Sequence, residues 1–172
     1  DPNQYRSVAA LLEECCDRFR HRPAFTNMGK VITYGDLDAL SATFAAFLVN
    51  DLKLSKGDRV AIMLPNLLQY PVANMAVPRA GLTDGNTNPM HTPRELKHQL
   101  DDAGAGAILV LDNFAGTVAE AVGTPPCKPV YCTRVADRVE FPTAGHTYLI
   151  GGPTWKLVPA RPITEARPLQ AP

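Results

Sequence analysis

Two short runs set the terms on which this chain can fold. Arg59 to Leu64 reads RVAIML and Ala107 to Leu111 reads AILVL. Neither alternates polar with apolar residues, so neither suits a strand with one wet face. Each has the length and punctuation of a strand buried on both faces, and the first stops at Pro65-Asn66. Such strands need helices above and below them, and the intervening sequence has helical periods in the required places. The alternation predicts right-handed crossovers and an α/β fold: a largely parallel sheet with helices on both faces.

The flanking elements follow from local signals. Ser7 precedes Val8, Leu11, Leu12, Cys15 and Phe19, a helical period behind a good N-cap residue, which predicts an amphipathic helix ending near His21 and Pro23. Pro23 to Phe25 and Val31 to Tyr34 flank Asn27-Met28-Gly29-Lys30 and predict a short hairpin. Asp36 is expected to cap a helix bearing Leu37, Leu40, Phe44, Phe47 and Leu48 on one face. Leu67 to about Val77 is helical in period. Thr92 and Glu95 form a capping box, with Pro93 in the first turn where a missing N–H costs nothing. Gly104 marks that helix's end, Phe114 to Val122 reads as a short helix, and Val130 to Thr133 as a further strand. Of the sixteen prolines, nine fall from Pro125 to Pro172, so residues 136–172 are expected to be an irregular, linker-like tail.

Between the two apolar runs lies a segment that breaks the pattern. Residues 79–96 read RAGLTDGNTNPMHTPREL, with Thr83-Asp84-Gly85-Asn86 where a greasy strand is expected. A buried, unpaired carboxylate costs several kcal/mol, and Gly weakens a strand interior. Pro78 is a second irregularity, since proline inside a helix costs about 3 kcal/mol; Pro71 stands nearer a tolerated position. Three readings of the polar run are open: a ligand site, a shortened or edge strand, and a degenerate copy of the domain.

The sequence offers few parts for chemistry. Gly104-Ala105-Gly106 follows a helix and precedes a strand, the reverse of the order that puts phosphate on a helix N-terminus. Gly151-Gly152-Pro153-Thr154-Trp155-Lys156 lacks Walker spacing. His91 and His98 flank the capping box, while His21 and His146 stand alone, so no metal-binding or serine-nucleophile pattern forms. Arg94 and Lys97 read as an exposed helix face, with the holding of an anionic ligand as the alternative reading. Cys15-Cys16 and Cys127-x4-Cys132 match neither zinc spacing nor a secreted disulfide framework, and Cys15 is expected inside on the apolar stripe. No catalytic, cofactor-binding or metal-binding residue is assigned.

Seventeen basic side chains balance seventeen acidic ones, which gives no electrostatic case for nucleic acid. No apolar run approaches a membrane span and no basic-then-apolar leader appears, so the expected location is cytoplasmic, with at most peripheral membrane association. A start at Asp1 without methionine reads as a trimmed chain.

The string GDRVAIMLPNLLQYPVA (residues 57–73), followed by RAG and NPMHTPRELKHQLDDAGA, resembles the N-terminal part of bacterial long-chain fatty-acid-CoA ligases, in the AMP-forming adenylating superfamily. PAFTNMGKVITYGDLDALSATFAAFL upstream and LDNF at 111–114 resemble the same family. The likeness runs from about Ser7 to Val135, and beyond it only WKLVPA and RPLQAP match. It implies residues 1–135 as an α/β N-terminal subdomain and 136–172 as an extension towards a nucleotide-binding part. It also implies a whole enzyme that uses ATP, Mg2+ and CoA to activate fatty acids through an acyl-adenylate. The family's Ser/Thr/Gly-rich phosphate loop, its acidic ribose and magnesium residues and its mobile-domain lysine match nothing here, so the chain alone is expected to be inactive. Its implied partners are the rest of the ligase chain and, in some long-chain members, a second copy in a homodimer. The competing expectation is a stand-alone, non-catalytic interaction or dimerisation domain derived from that family. Where relatives place valine or isoleucine, this chain has Thr83-Asp84-Gly85.

Overall fold

The computed structural model describes residues 4–122 and the strand backbones at 130–133, 147–149 and 156–158. Helix α1 (Val8–Arg18) opens the chain, with the Ser7 side chain accepting from the Ala10 N–H at 3.1 Å. Strands β1 (Pro23–Asn27) and β2 (Lys30–Thr33) form an antiparallel hairpin. Asn27 pairs with Lys30, so the loop is Met28-Gly29, and both residues have positive φ (48° and 76°). That geometry matches the right-handed twist of the flanking strands, with a methionine at a position that favours Asn or Gly.

Helix α2 (Tyr34–Asn50) follows at once. Its N-cap is Thr33, not Asp36 as the sequence suggests. Asp36 is the third helical residue and completes a capping box: its carboxylate accepts from the Thr33 N–H at 2.9 Å and hydroxyl at 2.8 Å, while its own N–H donates to Thr33 Oγ1 at 3.1 Å. Then come β3 (Arg59–Met63), α3 (Gln69–Arg79), β4 (Thr83–Asn86), α4 (Pro93–Asp102) and β5 (Ala107–Leu111). A 3-10 turn at Asp112–Phe114 leads into α5 (Ala115–Val122), and β6 (Val130–Thr133) joins the sheet. Strands β7 (Thr147–Leu149) and β8 (Lys156–Val158) make a separate antiparallel pair.

The main sheet is parallel, in the order β4-β3-β5-β6. The chain steps from β3 to β4 in one direction and from β4 back across β3 to β5 in the other. If both crossovers are right-handed, α3 and α4 must lie on opposite faces. The core shows that division. Val60, Ile62, Ala107 and Leu109 pack with Phe44 and Leu48 of α2 and Val72, Met75 and Val77 of α3. Their neighbours Ala61, Met63, Ile108 and Val110 pack with Leu96 and Leu100 of α4 and Val118 of α5. Burying each large aliphatic side chain is worth roughly 1.5–3 kcal/mol, so the strands that present two apolar faces anchor the fold.

Helix α1 sits on the outside of this assembly. Its inward residue is Cys16, 1% exposed with its thiol 3.9 Å from the Met75 sulfur, whereas Val8 is 65% exposed and Cys15 half-buried. The expected stripe is thus rotated by about one position, because α1 rests on α2 and α3 along its Leu12-Cys16 edge. Arg79 at the end of α3 holds the three helices together. Its Nε donates to Glu13 of α1 at 3.0 Å, and its Nη1 to the Asp38 carbonyl at 2.8 Å and Ser41 Oγ at 2.9 Å. Nη2 pairs with the Asp38 carboxylate in α2. Burial alone would lower the guanidinium's pKa, but its bonds to Asp38 and Glu13 outweigh that and hold it above its ordinary value.

The two capping boxes make folding pH-dependent. Hydrogen bonds from the Thr33 and Thr92 backbone and hydroxyl groups hold the Asp36 and Glu95 carboxyls below their ordinary range. The unfolded chain therefore takes up these protons first, and the contribution to stability is full above the unfolded carboxylate range of about pH 4 and lost as pH falls through the lowered values. Asp36→Asn is expected to lower stability at pH 7 by less than about 1 kcal/mol, since the pair is exposed. In thermal melts, the gap between variant and parent should shrink towards pH 3.

Candidate functional site

An open α/β sheet binds ligands at the carboxyl ends of its strands, where neighbouring strands send their connections to opposite faces. Here that switch point lies between β3, which leads to α3, and β5, which leads to α5. Its loops are Leu64 to Leu68 and Asp112 to Phe114. Neither contains glycine, and Leu68 caps α3 without a side-chain hydrogen bond. Phe114 packs against both core clusters, and the Asn66 carbonyl accepts from Asn27 Nδ2 of the hairpin at 2.9 Å. An aromatic ring and a docked hairpin thus stand where a phosphate cradle would be.

The other residues singled out in the sequence do not converge. Gly104 has a φ of 60° just beyond α4, which fits a helix stop. His21, His98 and Arg94 are exposed, and Lys97 pairs with Asp101 one turn on at 2.7 Å. His91 has a buried Nδ1 with no hydrogen-bond partner among the described residues, and its N–H closes a turn onto the Asn88 carbonyl at 3.1 Å. Burial and the nearby Asp38 carboxylate push the Cys16 thiol pKa up, the opposite of an activated nucleophile. Among the described residues no group of three His, Cys, Asp or Glu could hold a metal ion. His146, Cys127, the Cys132 side chain and the Gly151 to Trp155 run lie outside the described residues.

The polar segment forms β4, which has a single partner strand in the described sheet. The expected difficulty with Asp84 is met from α3. Asn74 Nδ2 donates to Asp84 Oδ2 at 3.2 Å, and Tyr70 donates its hydroxyl proton to Asn86 Oδ1 at 3.0 Å. Tyr70 and Asn74 are four residues apart, about 6 Å along a helix, while Asp84 and Asn86 are two apart, about 6.6 Å along a strand. A polar strip on the helix thus faces a polar strip on the strand. The carboxylate is half-buried but partnered, and the edge-strand reading is the one the structure supports. Pro78 sits at the second-last position of α3 and forfeits one helical bond, to the Asn74 carbonyl. Pro71 falls in the first turn, where none is lost.

The opposite face of β4 is different. Thr83, Gly85 and Thr87 look towards α4, and with Arg59, Gln99 and Ala103 they border an open hollow of about 200 Å3. A side chain at Gly85 would meet nothing closer than the Val60 carbonyl at 4.0 Å. Sequence reasoning missed this hollow. The available signal was the run of small residues that line it, Ala61, Gly85, Ala103 and Ala105.

The chain matches the family model described as AMP-binding enzyme over residues 12–166. It belongs to that family. Over 139 residues it is 48% identical to a long-chain-fatty-acid--CoA ligase of Salmonella typhimurium, a match covering 81% of this chain and 25% of that protein. The chain therefore spans about a quarter of the length of the curated relatives it matches. Among solved structures, a luciferase-like enzyme from the mealworm Zophobas morio superposes with a TM-score of 0.71 at 16% identity, covering 100% of this chain and 39% of that one. A benzoate CoA ligase from Burkholderia xenovorans gives 0.69 at 19%, covering 77% and 28%. These two likenesses establish the fold.

The Asn74–Asp84 pair generates a prediction. Asn74→Leu removes the donor and leaves the half-buried carboxylate without it, at an expected cost of about 1–3 kcal/mol. Combining it with Asp84→Val makes both partners apolar, and the double variant should melt at or above the parent temperature. Chemical denaturation of the parent and the two variants measures the first effect, and thermal melts of the same proteins the second.

Proposed function

We propose that this chain is the N-terminal lobe of a long-chain fatty-acid-CoA ligase. The observation that carries the reading is the 48% identity over 139 residues to a ligase of which the chain spans a quarter. The whole enzyme would join a fatty-acid carboxylate to ATP, giving acyl-adenylate and pyrophosphate, and then pass the acyl group to the CoA thiol with release of AMP. Residues 1–135 form the lobe itself, and 136–172 lead towards the nucleotide-binding part. Neither the switch-point loops nor the described acidic residues suit ATP or magnesium, so those ligands belong to the remainder of the enzyme. The lobe's task is mechanical: a sheet packed on both faces and three helices tied by Arg79 give the catalytic part a rigid wall.

On this reading the partner is the rest of the ligase, and any homodimer contact or peripheral membrane association is a property of the complete protein. No helix among the described residues is long and apolar enough to cross a membrane.

A graft tests the proposal. The corresponding quarter of the Salmonella ligase is replaced by this chain, and palmitoyl-CoA formation is followed with palmitate, MgATP and CoA. The chimera should form palmitoyl-CoA above the level of the same ligase lacking that quarter, and the 172-residue chain alone should form none. A folded, monodisperse chimera with no palmitate-dependent AMP release would overturn it.

A further inference from the structure

Five large apolar side chains are exposed among the described residues, and three of them, Phe25, Met28 and Val31, belong to the β1–β2 hairpin. Met28 stands at the tip, 80% exposed, at a position whose φ of 48° favours Asn or Gly. Phe25 pairs with Ile32 and Thr26 with Val31, so Phe25 and Val31 lie on opposite faces of the ribbon, each nearly half exposed. Ile32, on the face of Phe25, is buried and anchors the ribbon to the core. A ribbon that packs against one neighbour needs one apolar face. This one carries exposed apolar groups on both faces and at its end, which suits entry into an apolar phase.

The charges beside the hairpin have one sign. From Arg18 to Gly35 the sequence holds three arginines, one lysine and no acidic residue, in a chain of zero net charge. Asp17 and Asp38 take up Arg20, at 3.4 and 3.8 Å. Arg18 and Arg22 make no ion pair among the described residues, and both guanidiniums lie 5.3 Å from the centre of the Phe19 ring, which holds them at the base of the hairpin. Lys30 closes the turn after Met28 and also lacks an ion pair among the described residues; Asp36, which its charge reaches, is committed to Thr33. Four strand steps from Pro23 to Asn27 set the tip roughly 13 Å beyond the base. With the tip sunk roughly 5–10 Å into the boundary between headgroups and acyl chains, the base arginines stay within about 8 Å, one Debye length, of the lipid phosphates.

We propose that the β1–β2 hairpin docks end-on in an anionic phospholipid surface. Met28 enters the acyl boundary with Phe25 and Val31 behind it, Lys30 reaches the phosphates beside the tip, and Arg18 and Arg22 meet the same negative surface from the base. The contact belongs to the hairpin itself and does not rest on the chain's role in a ligase.

The test is flotation of the 172-residue chain with vesicles of phosphatidylcholine alone and of phosphatidylcholine mixed equally with phosphatidylglycerol. The mixed vesicles should bind the chain about tenfold or more tightly. Met28→Asn places a favoured residue in the turn, so the fold is kept, and should weaken that binding about fivefold or more. Lys30→Gln, an exposed change, should weaken it about fivefold. In the graft chimera Met28→Asn should also reduce flotation; an unchanged chimera would mean that the rest of the ligase covers the tip. That result, equal binding to both vesicles, or affinity unchanged in Met28→Asn would overturn the proposal. So would a dimer of the parent chain in solution that Met28→Asn dissociates, because the tip would then meet a second copy.

Discussion

A parallel strand that is apolar on both faces cannot exist without cover on both sides, and β3 and β5 impose that condition on the rest of the chain. Five consecutive buried residues in β5 and four in β3 leave no face for water. Helices must therefore arrive above and below, and the handedness of the crossovers decides which goes where. The consequence reaches α1, which touches neither strand as a covering helix and shows only Cys16 fully to the interior. Apolar burial there centres on Cys16 and Leu12, and the Arg79 guanidinium, bonded to residues of α1 and α2, adds a directional contact. The RAG triplet at 79–81 thus has a structural reading: the arginine clamps three helices, and Gly81, with a φ of 74°, turns the chain from α3 into β4.

The edge position of β4 relaxes the same condition. With a partner on one side only, a strand can carry polar side chains if its covering helix is polar at matching intervals. Tyr70 and Asn74 meet that requirement against Asn86 and Asp84, so the departure from an aliphatic strand extends into α3. On the other face no compensation occurs. Small residues simply leave space, and a packed interior tolerates such a void only at a boundary open to water. One strand therefore shows two outcomes of carrying no aliphatic side chains, a polar seam and a hollow.

These differences mark how far the sequence was legible. Period and punctuation located β3, α4 and β5 because each signal is local: an apolar run, a capping box, a glycine stop. The choice of Thr33 over Asp36 as N-cap was ambiguous because both residues of a capping box are cap-like, and only backbone dihedrals separate them. Cys15 and Cys16 differ by a rotation of about 100° about the helix axis, and that rotation is set by α2 and α3, not by α1 itself. The Asn74–Asp84 pairing was readable in principle from matched spacings, but it requires knowing that α3 and β4 face each other. The hollow was less accessible still, since it is defined by what four separate segments lack.

The fold recurs in proteins less than a quarter identical to this one, and what they share with it is an arrangement of covered strands. Such an arrangement constrains the buried positions of β3 and β5 and leaves the loops at their carboxyl ends free to diverge. In this chain one of those loops carries Phe114, which packs on the core, and the Asn66 carbonyl of the other accepts a hydrogen bond from the β1–β2 hairpin. Sensitivity to substitution should then follow packing: changes at Arg79 or in β3 would act on stability, while changes on the outer face of β4 would leave both packed faces intact.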